Sequence, residues 1–523
     1  MTAPAEPSPP AGAAARTTAQ AAAQAAPIAI VIAVVLSAVL EVLDSTIVNV
    51  ALPHIKSAFG ATTDQTTWIL TSYIVSAVVV MPLTGFMARR IGRKRLILTA
   101  ISGFAVFSAL CGLSWSLGSM VAFRLGQGMF GAFLIPLSQS ILFDSFPKER
   151  RGQAMAMFGL GVVVAPVMGP TVGAVLIDSF SWRMVFFVNL PVAALALSLL
   201  AGELPDDDPE KLRIDWTGLL LMATGIGALQ FMLDQGQSRD WFASHLIQTA
   251  TLVAAVAGAA FLIRGMARRD NIVDLRLFTD RNYAASTAII AGFAVSMFGT
   301  IAILPLFVQG LLGYPVLQAG YLFIPRGLAA GVSMVLTGAV LVGRFDPRAL
   351  AAVGILLTAA SNFLMGRLNL DASFWQIAWP GVVAGAGMGL VFVPLSTLAF
   401  DRIDQARQDE ASGLYGVTRQ LGSSIGIAIV GAMIVRGIGV ETAQLGAHVT
   451  AFSEPARALL APLGLTPETP EGAAVLSQQI ARQAALLSYL RTFDILGWVA
   501  VALLPLLLLT TRPVHTRRGA PAH

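Results

Sequence analysis

Two carboxylates, Glu41 and Asp44, stand three residues apart in LEVLDSTIVNVALPHI (40–55), a stretch that is otherwise almost entirely apolar. On a helix this spacing puts both on one face. Burial penalises the charged form of a carboxyl group, and two close carboxylates resist simultaneous ionisation. Such a pair is suited to holding a proton, or a cation, between its members. Asp44 precedes Pro53 by nine residues, which at about 1.5 Å per residue is about 13 Å, close to the middle of a bilayer core roughly 30 Å thick. The expectation is that Asp44 takes up a proton on one side of a membrane and releases it on the other, with Glu41 beside it. The plainer alternative is that Asp44 accepts hydrogen bonds from a neighbouring helix.

Arg124, in FRLGQGMFGAF (123–133), is also set within an apolar run. A guanidinium keeps its charge in any medium, so it must pair with an acid or face water, and Arg124 is expected to tune an acidic partner. Arg326 and Arg419 are the other arginines well inside apolar runs. A third feature has no reactive atom. In GLGVVVAPVMGPTVGAVL (159–176), Gly159, Gly161, Ala165, Gly169 and Gly173 recur at near-helical spacing, while Pro166 and Pro170 bend the helix.

These residues need elements that span lipid. Of 523 residues 56% are hydrophobic and 12% charged, where soluble domains carry about a quarter charged; the mean hydropathy is +0.74. Fourteen apolar runs are long enough to cross a bilayer as helices: 28–52, 66–88, 96–115, 119–143, 152–177, 184–202, 216–233, 245–263, 284–309, 319–342, 349–367, 375–399, 413–435 and 492–511. They are continuous rather than alternating, which excludes a transmembrane barrel. The fold expected is an all-α integral membrane protein.

Most of the 34 Lys and Arg residues fall on the side of the N-terminal tail, so the positive-inside rule places both termini in the cytoplasm. The net charge of +5 therefore reports topology. The basic run RRIGRKR (89–95) is clamped between two spans, which argues against a nucleic-acid surface. The five histidines are scattered over loops and the C-terminus and make no metal set. Cys111 is alone, so no intramolecular disulfide forms, and no Walker A motif is present. An ion gradient is left as the energy source, with protons as the coupling ion, no cofactor and no enzymatic constellation.

Internal repetition supports a transporter. GFMARRIGRKR (85–95) and GAVLVGRFDPR (338–348) both follow a small-residue span and place Gly-Arg before further charge. Pseudo-symmetric halves are a transporter trait. The organisation expected is a disordered cytoplasmic tail (1–27), a six-helix half (28–202), a linker with two additional helices (203–282), a second six-helix half (283–511) and a short cytoplasmic tail (512–523). The segment 264–282 is expected along the inner interface. The long outer loop (437–490) has apolar residues at helical spacing, Leu476, Ile480, Ala484 and Leu487; these suit a surface or docking helix, or merely the lead-in to the last span.

Several stretches together resemble the fourteen-helix drug:proton antiporters of the major facilitator superfamily, and within them the EmrB-like (EmrB/QacA-type) multidrug exporters. These are LDSTIVNVALPHI (43–55), RLGQG (124–128), IPLSQS (135–140), APVMGPTVG (165–173), WRMVFFVNLP (182–191), LDQGQSRDWF (233–242) and IVDLRLF (272–278). The resemblance covers residues 28–511. It implies a major facilitator fold that alternates between inward-open and outward-open states around a central cavity, in a bacterial inner membrane. Asp44 would be the proton-coupling carboxylate and Arg124 its fourth-helix partner, with Gly169, Pro170 and Gly173 as the antiporter motif. Gly85, Arg89, Arg90, Gly92 and Arg93 would form the cytoplasmic gating loop. It further implies a periplasmic adaptor protein (EmrA-like) and an outer-membrane channel as partners. Two departures stand out. Arg89 occupies the position where the superfamily's gating loop usually has Asp, so the usual charge latch is in doubt and Asp144 is a possible substitute. Ala174 replaces the last glycine of the fifth-helix motif.

The function expected is proton-driven export of amphipathic or lipophilic small molecules through a mainly apolar cavity. Gln127, Met129, Phe133, Met297 and Phe298 are candidate lining residues, although such side chains more often pack or face lipid. Export of one dedicated metabolite or siderophore, and a membrane scaffold that transports nothing, are the alternatives.

Overall fold

The computed structural model describes residues 11–147, 150–204, 209–268, 272–450 and 453–511. Among these there is no strand. Thirteen helical segments are long and apolar enough to cross a membrane, and Arg151–Ser179 adds a fourteenth long helix. In chain order they are α1 (Ala11–Phe59), α2 (Asp64–Ile91), α3 (Arg93–Gly112), α4 (Leu117–Ser145), α5 (Arg151–Ser179), α6 (Met184–Glu203), α7 (Trp216–Gln235), α8 (His245–Ala267), α9 (Arg281–Leu311), α10 (Gln318–Leu341), α11 (Pro347–Met365), α12 (Phe374–Phe400), α13 (Gln408–Ala447) and α14 (Pro470–Val501).

Local chemistry sets where these helices begin. Thr62 and Gln65 cap each other at the start of α2, 3.0 and 3.2 Å apart in the two directions. Ser116 with Ser119 does the same for α4, and Ser373 with Gln376 for α12. Asp215 caps α7 through Gly218 N, and Asp280 caps α9 through Tyr283 N. Gly92, at φ +89°, breaks the chain between α2 and α3, a conformation that L side chains rarely adopt.

Two expectations change. The first span was expected to follow a disordered tail, but α1 already begins at Ala11. The segment before the span is rich in alanine, the strongest helix former, and so continues the helix backward. The long outer loop is also largely helical. α13 continues to Ala447, and the last span starts at Pro470, so Leu476, Ile480, Ala484 and Leu487 belong to the lead-in of α14. Between them, among the described residues, stand the short helix Glu454–Leu460 and the 3-10 turn Ala461–Leu463. Residues 1–10 and 512–523 lie outside the described residues.

α1 packs on α4, α5 and α6, and α2 and α3 pack on α4. In the second half α9 packs on α12, α13 and α14, while α12 packs on α10 and α11. The α7–α8 hairpin lies against α2 and α13. It is fastened to both: Gln235 Nε2 donates to Thr71 Oγ1 of α2 at 3.1 Å, and Gln230 Nε2 donates to Ser424 Oγ of α13 at 2.9 Å.

The repeat is deeper than the two basic turns. IPLSQSILFD (135–144) at the inner end of α4 is echoed by VPLSTLAFD (393–401) at the inner end of α12. The matching aromatic residues, Phe143 and Phe400, meet with ring centres 5.0 Å apart. The glycines that open the two basic turns are likewise the points where the halves touch. A Cβ on Gly85 would lie 2.4 Å from Glu410 Cβ of α13, and one on Gly338 would lie 2.3 Å from the Gly152 carbonyl oxygen of α5. Symmetry-related helix pairs, α2 with α13 and α10 with α5, therefore close the inner end at backbone contact.

Candidate functional site

Asp44 lies on α1 with no exposed surface. A buried carboxylate needs its lone pairs satisfied, and two neighbouring helices do this. Arg124 Nη1 of α4 donates to Oδ2 at 2.5 Å; Gln127 Nε2 of α4 and Asn189 Nδ2 of α6 donate to Oδ1 at 2.9 and 2.8 Å. Asn189 Nδ2 also reaches Ser108 Oγ of α3 at 3.0 Å, and Ser108 donates to the Phe186 carbonyl at 2.8 Å. Three donors converge on one acceptor-only group, an arrangement that fits the ionised carboxylate.

Arg124 is equally buried. Its Nε donates to the Ile69 carbonyl of α2 at 3.2 Å, its Nη1 also reaches Gln127 Oε1 at 2.8 Å, and its guanidinium lies 4.1 Å from the centre of the Tyr73 ring. The face of that ring adds cation–π attraction. Nη2 of Arg124 and Oδ1 of Asn189 have no hydrogen-bond partner. The network thus joins five of the six helices of the first half, α1 (Asp44), α2 (Ile69, Tyr73), α3 (Ser108), α4 (Arg124, Gln127) and α6 (Asn189), around one ion pair.

Glu41 is separate. No hydrogen bond joins it to Asp44 among the described residues, and its Oε2 is buried without a partner. It lies within electrostatic reach of Arg419 on α13 as well as of Asp44. The two carboxylates of the opening stretch therefore differ in surroundings: Asp44 is hydrogen-bonded within its own half, whereas Glu41 Oε2 is buried without a partner.

The second half has a neutral counterpart of the Asp44 network. Asn362 Nδ2 of α11 donates to Ser296 Oγ of α9 at 3.1 Å, Thr300 Oγ1 donates to Asn362 Oδ1 at 2.7 Å, and Ser296 donates to the Leu496 carbonyl at 2.9 Å. Asn362 stands on α11 as Ser108 does on α3. The charge is confined to one half.

In the fifth helix the small residues meet α1 directly. A Cβ on Gly169 would lie 2.2 Å from Thr46 Oγ1, and one on Gly173 would lie 2.9 Å from Ile47 Cγ1. Pro170 is exposed on the same helix, which runs through Pro166 and Pro170 without interruption. The smooth strip thus holds α5 against the turn of α1 that follows Asp44.

At the inner end Arg93 bridges the halves. It pairs with Asp144 of α4, and its Nε donates to Asp409 Oδ2 of α13 at 3.0 Å. Arg93 thus joins carboxylates of α4 and α13 in one ion-pair cluster. The Arg89 backbone and the Arg90 side chain meet the linker: Glu210 N donates to the Arg89 carbonyl at 2.8 Å, and Arg90 Nη1 to the Leu212 carbonyl at 3.4 Å. Glu410, stacked against Gly85, accepts from Asp274 N at 2.5 Å, and Arg407 pairs with Asp274 at 2.7 Å. Ile272, Val273 and Leu277 are buried. The 264–282 segment, where described, is therefore folded onto the protein rather than laid out along a membrane interface, because its apolar residues find a protein surface.

The candidate lining residues divide. Gln127 belongs to the Asp44 network. Phe133 and Met297 are buried in the large core that draws on both halves, with Phe298 packed against it. Met129 is 49% exposed on the face of α4 that carries Ala122 and Leu125, opposite Gln127. Asn189, Ser108, Tyr73, Asp409 and Glu410 were not singled out from sequence. A polar residue inside an apolar span was the available signal for Asn189 and Ser108; none existed for Tyr73.

Residues 34–427 match the model of the Major Facilitator Superfamily. The chain is 34% identical to the fatty acid resistance protein FarB of Neisseria gonorrhoeae over 489 residues, covering 92% of this chain and 95% of that protein. It is 34% identical to the multidrug export protein EmrB of Escherichia coli K12 over 491 residues, covering 92% and 94%. Among solved structures the human organic anion transporter MFSD10 superposes with a TM-score of 0.62 at 15% identity, covering 92% of this chain and 99% of that one. The proton:xylose symporter XylE gives 0.60 at 14%, covering 92% and 95%. These two likenesses concern the fold alone.

Proposed function

Since the chain belongs to the major facilitator superfamily, we propose that it is a proton-driven antiporter that exports amphipathic or lipophilic small molecules, with Asp44 as the coupling carboxylate. The family makes it a multi-pass membrane transporter, and its relatives include a multidrug export protein and a fatty acid resistance protein. The observation that carries the finer reading is the burial of Asp44 against Arg124, Gln127 and Asn189. A buried ionisable group inside a membrane is functional by default.

The mechanism follows from the donor set. With the carboxylate ionised, Asp44 fastens α4 and α6 to α1. A proton reaching Asp44 removes the charge that holds Arg124, so the guanidinium must find another partner and the packing of α1 in its half changes. Coupling arises because each of the two packings suits a different protonation state. The inner end is closed through Gly85, Arg93 and Phe143, so the state described is the one that opens outward. Glu41, within electrostatic reach of Arg419 of the other half, is the second proton or cation site of the same helix. The cavity takes its substrates by apolar burial, which is non-directional and tolerates several shapes.

The distribution of basic residues supports both termini in the cytoplasm, and the bacterial relatives support the inner membrane of a bacterium. A periplasmic adaptor and an outer-membrane channel belong to the same reading. The name of the FarB relative extends the substrate class to fatty acids.

In proteoliposomes with an imposed pH gradient, the wild-type chain transports a lipophilic dye against its concentration gradient. Asp44→Asn abolishes this uphill transport while the protein stays folded by size-exclusion chromatography. Uphill transport that survives the substitution, or that ignores the pH gradient, overturns the reading. Sensitivity of a deletion strain to a single compound would favour a dedicated exporter.

A further inference from the structure

Arg326 is the only charged residue in α10. It is 8% exposed, and its Nη1 is buried without a hydrogen-bond partner. The other two arginines set inside apolar spans have an acid nearby: Arg124 pairs with Asp44, and Arg419 lies within electrostatic reach of Glu41. Among the described residues no salt bridge includes Arg326. A buried guanidinium stays charged, and an unpaired charge in a membrane interior costs at least a few kcal/mol. The position therefore calls for an anion that the chain does not supply.

Its placement fits an incoming one. Arg326 points away from the face of α10 that carries Ile324, Leu328 and Val332, which are 40%, 67% and 60% exposed. It packs over two glycines of α12: a Cβ on Gly385 would lie 2.2 Å from the Arg326 carbonyl oxygen, and one on Gly381 would lie 3.6 Å from Arg326 Cβ. Gly385 thus lets the two backbones meet, and Gly381 lies against the base of the Arg326 side chain without crowding it. Depth follows from α5, which touches both halves. On α10, Gly338 meets Gly152 and Gly331 meets Leu160; on α1, Val35 meets Gly161 and Thr46 meets Gly169. Continuing the antiparallel register beyond Gly331 sets Arg326 level with Ala165, midway between Gly161 and Gly169 and so level with the Glu41–Asp44 turn. That depth is out of reach of the headgroups of surrounding bilayer lipids.

We propose that Arg326 anchors an anion subsite of the second half, which receives the oxyanion head group of an amphipathic organic acid. The planar guanidinium matches a carboxylate with two parallel hydrogen bonds, while the apolar tail is buried by contacts that need no direction. The site gives the exporter a preference for anionic amphiphiles over cationic ones. It rests on the transport reading only for its placement in a translocation path.

Equilibrium binding separates the two, because it requires no gradient. Purified protein in lipid nanodiscs binds radiolabelled decanoate, with decyltrimethylammonium, which has the same tail and the opposite charge, as the control. Arg326→Gln lowers the decanoate affinity about tenfold or more, as expected for the loss of a charge-assisted pair, and leaves the control unchanged. Arg326→Lys recovers part of the loss. Equal decanoate binding in wild type and Arg326→Gln, equal loss of both ligands, or no decanoate binding by the wild type overturns the proposal. Binding that behaves as expected without transport driven by a pH gradient leaves the subsite standing and defeats the antiport reading.

Discussion

Arg124 Nη1 and Asp44 Oδ2 stand 2.5 Å apart with neither side chain exposed. The pair is therefore held by its mutual charge and by the amides around it. Removing one partner of a buried ion pair leaves an uncompensated charge, which costs about 3–5 kcal/mol. Arg124→Leu lowers the stability of the purified protein by that order, measured by denaturant unfolding in detergent. The double variant with Asp44→Asn recovers most of it, since neither charge remains. A double variant no more stable than Arg124→Leu would show that the pair is not the source of the loss.

Gly85 and Gly338 occupy matching turns, and both lie at the points where the halves touch at the inner end. A side chain forced into such a contact costs about 1–3 kcal/mol, which shifts a two-state equilibrium by about five- to 150-fold. Gly85→Val and Gly338→Val each favour the inward-open state. With Cys111→Ala as background, a reporter at Ala411→Cys, buried in the structure, reacts faster with a maleimide in both valine variants than in the parent. Unchanged labelling would mean that the glycines do not set the closed state.

Asp215 caps α7 and takes Arg264 of α8, with Oδ1 2.6 Å from Nη2. These bonds, led by Arg264 and joined by the Gly218 amide, hold the Asp215 carboxyl below the ordinary aspartate range. A carboxyl held low contributes stability that is complete above its unfolded value of about 3.9 and is lost as pH falls through the lowered one. Below about pH 4 the inner end of the hairpin loosens, and protease cleavage of the 203–215 linker accelerates. Asp215→Asn removes this acid-dependent step. A wild-type cleavage rate that does not change on acidification would count against the contact.

How much was legible in the sequence follows from what each signal measures. Apolar length fixes the spans, because lipid requires each segment to satisfy its own backbone bonds. The intramembrane charges of Glu41, Asp44, Arg124, Arg326 and Arg419 were visible for the same reason, since each interrupts an apolar run. Which way they face was not visible. In a water-soluble helix a polar face and an apolar face separate by period, whereas a spanning helix is apolar toward lipid and toward protein alike. Nothing in the local pattern therefore distinguished Met129, which is exposed, from Gln127, which is not.

The sequence by itself determined the class of protein, the spans, their depth and the rarity of charge within them, because these depend on composition along one segment. Only the tertiary structure decided which charges meet. Asp44 finds partners 80, 83 and 145 residues away, Glu41 Oε2 finds none, and Arg326 forms no salt bridge among the described residues. Charge pairing is set by distance in space, and helix packing from several parts of the chain creates that distance.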